Sequence, residues 1–159
     1  MNAIIRPMSS EDKVPVMKIL RRTVEFKPFE VDVAEELINA YLDKGEKSGY
    51  PTLVAVEKSN VVGYVCYGPT PLTNGTWDVY WIAVLPEMKG KGIGTELMKA
   101  TEHNIAQNNG RIILIETSST PEYELTRRFY THIGYSIVCR IPDFYSPGDD
   151  KVVFQKRLV

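Results

Sequence analysis

A strand, a glycine-rich turn and a helix follow one another in the middle of the chain, and this succession constrains the fold more than any other stretch. The apolar, β-branched run 79–85 predicts a strand that Pro86 stops. Gly90, Gly92 and Gly94 then lead into an amphipathic helical pattern. The start of a helix presents amide groups without intrahelical acceptors and the positive end of the helix dipole. The turn therefore predicts an anion site.

A pyrophosphate is the anion that suits this turn. Glycines lack the Cβ atoms that would keep an anion away from the backbone, and Lys89 and Lys91 add positive charge. The spacing fits neither a P-loop, which needs Gly-Lys-Ser/Thr, nor a dinucleotide fingerprint, whose third glycine would replace Thr95. The alternative that needs no ligand is a tight turn with a solvated basic rim.

The rest of the chain alternates strand and helix patterns. The helix after the turn should end at Gly110, and the stretch 118–121 should cap the next helix, whose apolar side would carry Leu125, Phe129 and Ile133. In chain order we expect strands at 3–6, 52–57, 61–67, 76–85, 111–117, 135–141 and 151–158, and helices at about 10–22, 31–44, 93–109 and 121–133.

Three local expectations concern burial and order. The nearly continuous apolar run 111–117 predicts a strand buried on both faces, which makes Glu116 at its end conspicuous. The segment 142–150 should be an irregular loop between the last two strands. The apolar stripe of the first helix should consist of Val14, Met17, Ile19, Leu20 and Val24.

Length and composition exclude several classes of protein. A chain of 159 residues predicts one domain, 1–159, and a net charge of −1 argues against a nucleic-acid binder with a broad basic surface. Cys66 and Cys139 are isolated, so we expect buried free thiols and no zinc site. Because no run resembles a signal peptide or approaches the ~20 apolar residues of a membrane span, we expect a cytoplasmic protein without membrane contacts.

Two motifs resemble those of the GNAT N-acetyltransferases. The stretch 84–94 is similar to the family's acyl-CoA motif V-x-P-x-x-[RQ]-G-x-G-[IL]-G, with Lys89 in place of the usual Arg or Gln. The stretch 128–135 is similar to the family's R-x-F-Y-x-x-x-G-F/Y element. The resemblance implies an α/β fold, with a mixed, mostly antiparallel seven-stranded sheet flanked by about four helices.

The resemblance also implies the reaction and the cosubstrate contacts. It predicts acetyl transfer from acetyl-CoA to a primary amine by direct attack, with a small-molecule amine or a peptide or protein amine as the acceptor. The residues that it places against acetyl-CoA are Ile82, Ala83, Val84, Lys89, Gly90, Lys91, Gly92, Ile93, Gly94 and Thr95.

This reaction makes three chemical demands. An alkyl ammonium with a pKa near ~10.4 must lose a proton, and Glu116 is the candidate base, although it could instead cap the following helix or pair with an arginine. The backbone N–H of Val84 matches the family's oxyanion donor. Tyr130 matches the family's acid for the leaving thiolate. The alternative for Tyr130 is a core aromatic, but Phe129 rather than Tyr130 is in register with the apolar side of that helix.

Several kinds of acceptor fit the sequence. Aromatic side chains with a few carboxylates suit a cationic amine, and the loop 143–150 is also similar to that of protein N-terminal acetyltransferases. A CoA-binding sensor without turnover and a nucleotide-binding module remain as alternatives. The candidate acceptor residues are Phe26, Tyr80 and Tyr145, with Glu25, Tyr64, Tyr67, Asp78 and Phe144 in the same regions.

Overall fold

The computed structural model describes residues 2–159 and has the expected order of strands and helices. The strands are β1 (Ile4–Pro7), β2 (Thr52–Glu57), β3 (Asn60–Pro69), β4 (Thr76–Val84), β5 (Ile112–Ser118), β6 (Ser136–Ser146) and β7 (Asp149–Arg157). The α-helices are α1 (Lys13–Arg22), α2 (Pro28–Lys44), α3 (Ile93–Gln107) and α4 (Glu124–His132).

The seven strands form one mixed sheet in the order β1-β2-β3-β4-β5-β7-β6. The pairs β1–β2, β2–β3, β5–β7 and β6–β7 are antiparallel, whereas β4 and β5 are parallel. This confirms the expected seven-stranded, mostly antiparallel sheet with four helices. The chain divides into two compact units, one comprising the residues up to Gly68 together with Tyr80–Asn104, the other comprising Pro69–Val79 and Ile105–Val159. Strand β4 contributes residues to both.

The first unit has its core between α1, α2 and the strands β2 and β3. Fully buried aliphatic side chains recur at helical spacing along both helices, as an amphipathic helix on a sheet requires. The predicted apolar stripe of α1 is wrong at two positions, since Val14 is 79% exposed and Val24 is 91% exposed. The buried residues of this core are Met8, Val16, Met17, Ile19, Leu20, Val31, Ala34, Ile38, Val54, Tyr64, Cys66 and Ala83.

Helix α2 begins three residues earlier than its apolar spacing predicted. Pro28 occupies the first turn, where its missing N–H costs nothing, and the Glu30 carboxylate accepts a hydrogen bond from the Lys27 N–H at 3.2 Å. The predicted stop at Gly45 is confirmed by its φ of +60°. Local capping therefore sets both ends of this helix.

In the second unit, β5 is buried on one face only, so the expectation of burial on both faces is wrong. Ile113 and Ile115 are buried, but Leu114 is partly exposed and Glu116 is exposed. The reason is that successive side chains of a strand point to opposite faces of the sheet. Glu116 thus lies on the more open face of β5.

The predicted loop at 142–150 is largely strand. Strand β6 runs on to Ser146 across an irregularity at Asp143, whose φ is +55°, and a short turn then leads into β7. Strand β6 lies at the sheet edge and its side chains are exposed. Consequently Cys139 is exposed, contrary to expectation, whereas Cys66 is buried and its thiol pKa is raised to about 12 by burial.

Candidate active site

The glycine-rich turn links the end of β4 to the start of α3. Gly90 and Gly92 have φ values of +78° and +84°, a backbone region that residues with a Cβ rarely adopt. The first helical hydrogen bond runs from the Glu96 N–H to the Gly92 carbonyl at 3.0 Å. The amides of the first turn, up to Thr95, therefore precede the hydrogen-bonded helix and are suited to an anion.

Open space borders this turn. A Cβ built on Gly90 or Gly92 would meet no protein atom within 4 Å. By contrast, a Cβ on Gly63 of β3 would lie 3.0 Å from Leu97 Cδ1 and 3.2 Å from Ile93 Cγ2. Strand β3 thus packs closely beneath the first turns of α3 and fixes the helix start, while the turn itself stays accessible.

The basic rim of the turn is held only loosely. Lys89 Nζ lies 4.0 Å from Glu25 Oε1, and Lys91 Nζ lies 3.9 Å from Met88 Sδ. The Lys89 side chain is 51% exposed and a thioether sulfur is only a weak acceptor, so both ammonium groups can turn towards an anion. Lys89 supplies charge without the planar fork of the arginine found in the family motif.

The strand residues before the turn are well anchored. Ala83 is buried, Ile82 and Val84 are partly exposed, and β4 ends at Val84. The Leu85 N–H donates a 2.8 Å hydrogen bond to the Val62 carbonyl, which ties the strand end to β3. The first unit therefore brings together the expected cosubstrate contacts from Ile82 to Thr95.

The Tyr130 ring lies in the core of the second unit. The prediction that Tyr130 lies away from the apolar side of α4 is therefore wrong. Its ring centroid lies 5.5 Å from that of Phe154 and 6.2 Å from that of Tyr135, while Leu125 is 78% exposed. A tight turn at Pro121–Tyr123 precedes α4 and sets the phase of the helix. Burial raises the pKa of the Tyr130 phenol above its ordinary value, which keeps the hydroxyl protonated.

Glu116 forms an ion pair in the structure. Lys151 Nζ lies 2.8 Å from Glu116 Oε1, and the Glu116 side chain is 51% exposed whereas that of Lys151 is 15% exposed. The sequence left open that Glu116 forms an ion pair instead of acting as a base. Such a pair is present, although the cation is Lys151 rather than an arginine. Lys151 also lies 4.4 Å from the ring centroid of Phe144, within cation–π distance.

Two polar side chains lie within strands of the second unit: Asp78, which the sequence placed in the acceptor regions, and Thr117, to which it gave no role. The Thr70 hydroxyl donates a 2.6 Å hydrogen bond to Asp78 Oδ2. Burial and the nearby Glu116 raise the pKa of the Asp78 carboxyl, against the lowering effects of Thr70 and Lys151. Within residues 2–159 the buried Thr117 hydroxyl has no hydrogen-bond partner. A polar residue inside an apolar strand is the signal that could have identified Thr117.

The proposed acceptor aromatics divide into two groups. Phe26 packs edge-on against Trp81 at 5.4 Å, and Tyr80 against Tyr50 at 5.6 Å, at the margin of the first unit's core. Tyr145 is 45% exposed beside Phe144 on β6. Phe26 and Tyr80 thus have packing partners, whereas Tyr145 is the more exposed ring.

Neither a metal site nor a membrane-spanning helix is found among the residues that the structure describes. No cluster of three or more histidine, cysteine, aspartate or glutamate side chains among residues 2–159 is arranged to hold a metal ion. No helix in the described part of the chain is both long and apolar enough to cross a bilayer.

Comparison with known proteins identifies the family. The model of the acetyltransferase (GNAT) domain matches residues 48–137. A protein of Methanocaldococcus jannaschii, described as an uncharacterised N-acetyltransferase, is 33% identical over 159 residues, which cover 97% of this chain and 91% of that protein. The chain belongs to the GNAT family of acetyltransferases. As a GNAT protein it is an acyltransferase of the N-acetyltransferase class.

Solved structures support the same fold for this GNAT chain. A protein from Desulfovibrio desulfuricans that is assigned to the GNAT acetyltransferases superposes with a TM-score of 0.95 at 37% identity, covering 99% of this chain and 100% of that one. An aminoglycoside 6′-N-acetyltransferase in complex with coenzyme A superposes with a TM-score of 0.77 at 20% identity, covering 98% and 97%. The second likeness shows the fold alone.

Proposed function

We propose that this GNAT protein transfers the acetyl group of acetyl-CoA to a primary amine by direct attack. The observation that carries the proposal is the turn at Gly90 and Gly92, where positive φ angles and open space lead into the amides of α3. A pyrophosphate fits there because it can accept several backbone N–H groups at the positive end of the helix dipole.

The fit to acyl-CoA rests on the glycine-rich turn. In the first unit, the amides from Gly92 to Thr95 would hold the pyrophosphate, with Lys89 and Lys91 adding charge at the rim. The coenzyme A complex of the aminoglycoside acetyltransferase shows that the fold can hold this group. When bound, acetyl-CoA supplies an acetyl thioester that is reactive towards a neutral amine.

Three residues or groups of this chain meet the demands of the reaction. A carboxylate of the second unit takes the proton of the acceptor ammonium, for which the sequence puts forward Glu116. The Val84 N–H stabilises the oxyanion that forms when the amine attacks, because a backbone donor is fixed before the reaction. The Tyr130 hydroxyl protonates the departing thiolate, and its raised pKa keeps that proton available.

The acceptor is a small-molecule amine or a peptide or protein amine. The exposed rings of Phe144 and Tyr145 on β6 provide a surface on which the aliphatic or aromatic part of such an amine can pack. The negative charge of Asp78 favours a cationic acceptor over a neutral one, whereas that of Glu116 is balanced by Lys151. An aminoglycoside is the acceptor class of one structural neighbour and belongs in the first screen.

The decisive experiment is an acetyl-CoA turnover screen. Release of the CoA thiol is measured with amino acids, polyamines, aminoglycosides and N-terminal peptides as acceptors, and the acetylated product is identified by mass spectrometry. We expect amine-dependent thiol release with at least one class. Tight acetyl-CoA binding without turnover on any acceptor would instead support a CoA-binding sensor. Displacement of acetyl-CoA by ATP at comparable affinity would support a nucleotide-binding module.

A further inference from the structure

A cavity of about 490 Å³ lies between helix α4 and the edge strand β6 in the second unit. Its volume is in the range of small-molecule sites, and most of its lining side chains are exposed, so it opens to solvent. None of its lining residues belongs to the glycine-rich turn or to the proposed catalytic and acceptor residues. The wall on α4 consists of Glu124, Arg127, Arg128, Thr131 and His132.

The wall opposite α4 is apolar. Ile137 of β6 is 58% exposed at the cavity, and the register of β6 and β7 places it opposite Phe154. Residues that face each other across paired strands lie on the same side of a sheet. Phe154 is fully buried, so Ile137 supplies the accessible apolar surface above it. A ligand that covers Ile137 gains by removing this surface from water, which favours a ligand with an apolar body.

Arg127 is a cation whose orientation is fixed before any ligand binds. Its Nη1 donates hydrogen bonds of 2.8 Å to the carbonyls of Ser118 and Thr120. A guanidinium group has further N–H donors in the same plane, and their fork matches an anionic head group. Because the side chain is already held in place, little conformational entropy is lost when an anion binds.

Arg128 is a second cation, and it is held more loosely. Its Nη2 lies 2.9 Å from Glu124 Oε1 one helical turn away, and the two side chains are 73% and 57% exposed. Exposed pairs of this kind contribute little, so Arg128 can turn towards a ligand. Apart from His132, the lining carries two arginines and one glutamate, a net charge of +1. One negative charge balances it, which suits a carboxylate better than a phosphate monoester, whose charge approaches −2.

We propose that the cavity between α4 and β6 binds a monoanionic carboxylate that carries an apolar body. The head group accepts hydrogen bonds from Arg127 and Arg128, and the body packs on Ile137. The proposal goes beyond acetyl transfer, because it concerns a second binding site and its ligand class. It is tested by binding alone, so its outcome does not depend on turnover.

Octanoate is the probe, and its binding to the full chain is measured by calorimetry. We expect saturable binding at one site. Acetate, which has the head group without the body, should bind at least about tenfold more weakly, because it leaves Ile137 in water. Octylammonium, which has the body with the opposite charge, should not bind there. Octyl phosphate separates the two kinds of anion, and tighter binding of octyl phosphate than of octanoate would contradict the assignment to a carboxylate.

Two exposed side chains should change the affinity in opposite directions. Arg128→Gln removes a donor to the head group and should weaken octanoate binding by about tenfold. Glu124→Gln removes the negative charge beside the head group and releases Arg128, so it should tighten binding by about threefold. A general loss of structure cannot produce a gain in affinity. Thermal melting without ligand checks that both variants fold.

Arg157→Gln is the matched control. Arg157 is an exposed arginine at the end of β7 that does not line the cavity, so its variant should bind octanoate as the wild type does. Equal losses in Arg128→Gln and Arg157→Gln would overturn the proposal, as would weaker binding in Glu124→Gln or no saturable binding by the wild type. Saturating acetyl-CoA should leave the octanoate affinity unchanged, whereas competition would place octanoate in the cosubstrate site and also overturn the assignment.

Discussion

The ring of Tyr130 packs against the ring of Phe154, with centroids 5.5 Å apart and planes inclined by 56°. This packing allows the hydroxyl of Tyr130 to be removed without disturbing the core. We expect Tyr130→Phe to bind acetyl-CoA almost as the wild type does but to acetylate about 10²-fold or more slowly, because the leaving thiolate loses its acid. Steady-state kinetics and calorimetry measure the two effects separately.

Two controls accompany this prediction. Tyr135→Phe removes another buried hydroxyl from the same aromatic cluster and should keep the wild-type rate. Tyr130→Ala should lose about 3–5 kcal/mol of stability, as expected for deleting a buried aromatic ring. Since burial raises the pKa of Tyr130, the wild-type rate should not fall as pH rises towards the ordinary tyrosine pKa of about 10. An unchanged rate in Tyr130→Phe would remove this residue from the mechanism.

Substitution of Gly92 tests the predicted anion site, and Gly49 is a matched control because its backbone conformation and surroundings are similar. Their φ values are +84° and +85°, and a Cβ on either would meet no protein atom within 4 Å. An alanine at each position should cost the same roughly 1–2 kcal/mol of backbone strain. Only Gly92→Ala should weaken acetyl-CoA binding, by about tenfold or more, because its methyl group would occupy the approach to the amides of α3.

Calorimetry and thermal melting give the two quantities for both variants. Equal melting temperatures with unequal affinities would support the anion site at Gly92. Equal affinities would contradict it, since strain alone would then account for every effect of the methyl group.

The element order and the glycine-rich turn could be predicted because both depend on local sequence. Positive φ angles require glycine, proline stops a strand, and helical spacing marks α3, so residues close in the chain carry the signal. The same holds for β2, whose bounds at Thr52–Glu57 agree with the prediction. The seven-stranded sheet with four helices followed from that order through the family resemblance.

What could not be predicted depends on tertiary contacts or on small changes of phase. The tight turn at Pro121–Tyr123 sets the phase of α4, which brings Tyr130 into the core and Leu125 out of it. The pairing of Glu116 with Lys151 joins β5 to β7 and has no local signature. Because only the sheet register brings Glu116 and Lys151 together, the sequence could not predict this ion pair.

Arg6 and Asp12 should make the stability of the first unit depend on pH. Arg6 donates to both carboxylate oxygens of Asp12, at 2.7 and 3.0 Å, and the Ser9 N–H donates to the same group at 2.8 Å. Chiefly the Arg6 hydrogen bond lowers the pKa of Asp12 below its ordinary value. The resulting stability is present above the unfolded pKa of about 3.9 and is lost as pH falls through the folded pKa.

We therefore expect Asp12→Asn to lower the free energy of unfolding by about 1–2 kcal/mol near pH 7. The difference from the wild type should shrink in acid, because the wild-type carboxyl is then protonated too. Urea unfolding at several pH values measures it. Glu11→Gln, an exposed neighbour, is the matched control and should show no such convergence. A difference that stays constant with pH would show that the ion pair is not its source.

The buried carboxylate of Asp149 should stabilise the hairpin between β6 and β7, which we propose contacts the acceptor. The Ser118 hydroxyl donates to Asp149 Oδ1 at 2.5 Å, and the Asp150 N–H donates to the Ser119 hydroxyl at 2.8 Å. These bonds tie the hairpin that carries Tyr145 to the end of β5. We expect Asp149→Ala to cost about 1–3 kcal/mol of stability and to raise the acceptor KM several-fold with a smaller effect on kcat.

Asp149→Asn separates the hydrogen bond from the charge. Its side-chain carbonyl can still accept from Ser118, so it should retain most of the stability and a KM close to that of the wild type. The affinity for acetyl-CoA, measured by calorimetry, should be the same in both variants because the anion site belongs to the first unit. A normal acceptor KM in Asp149→Ala would show that this hairpin does not shape the acceptor site, whereas a parallel loss of acetyl-CoA affinity would indicate general unfolding instead.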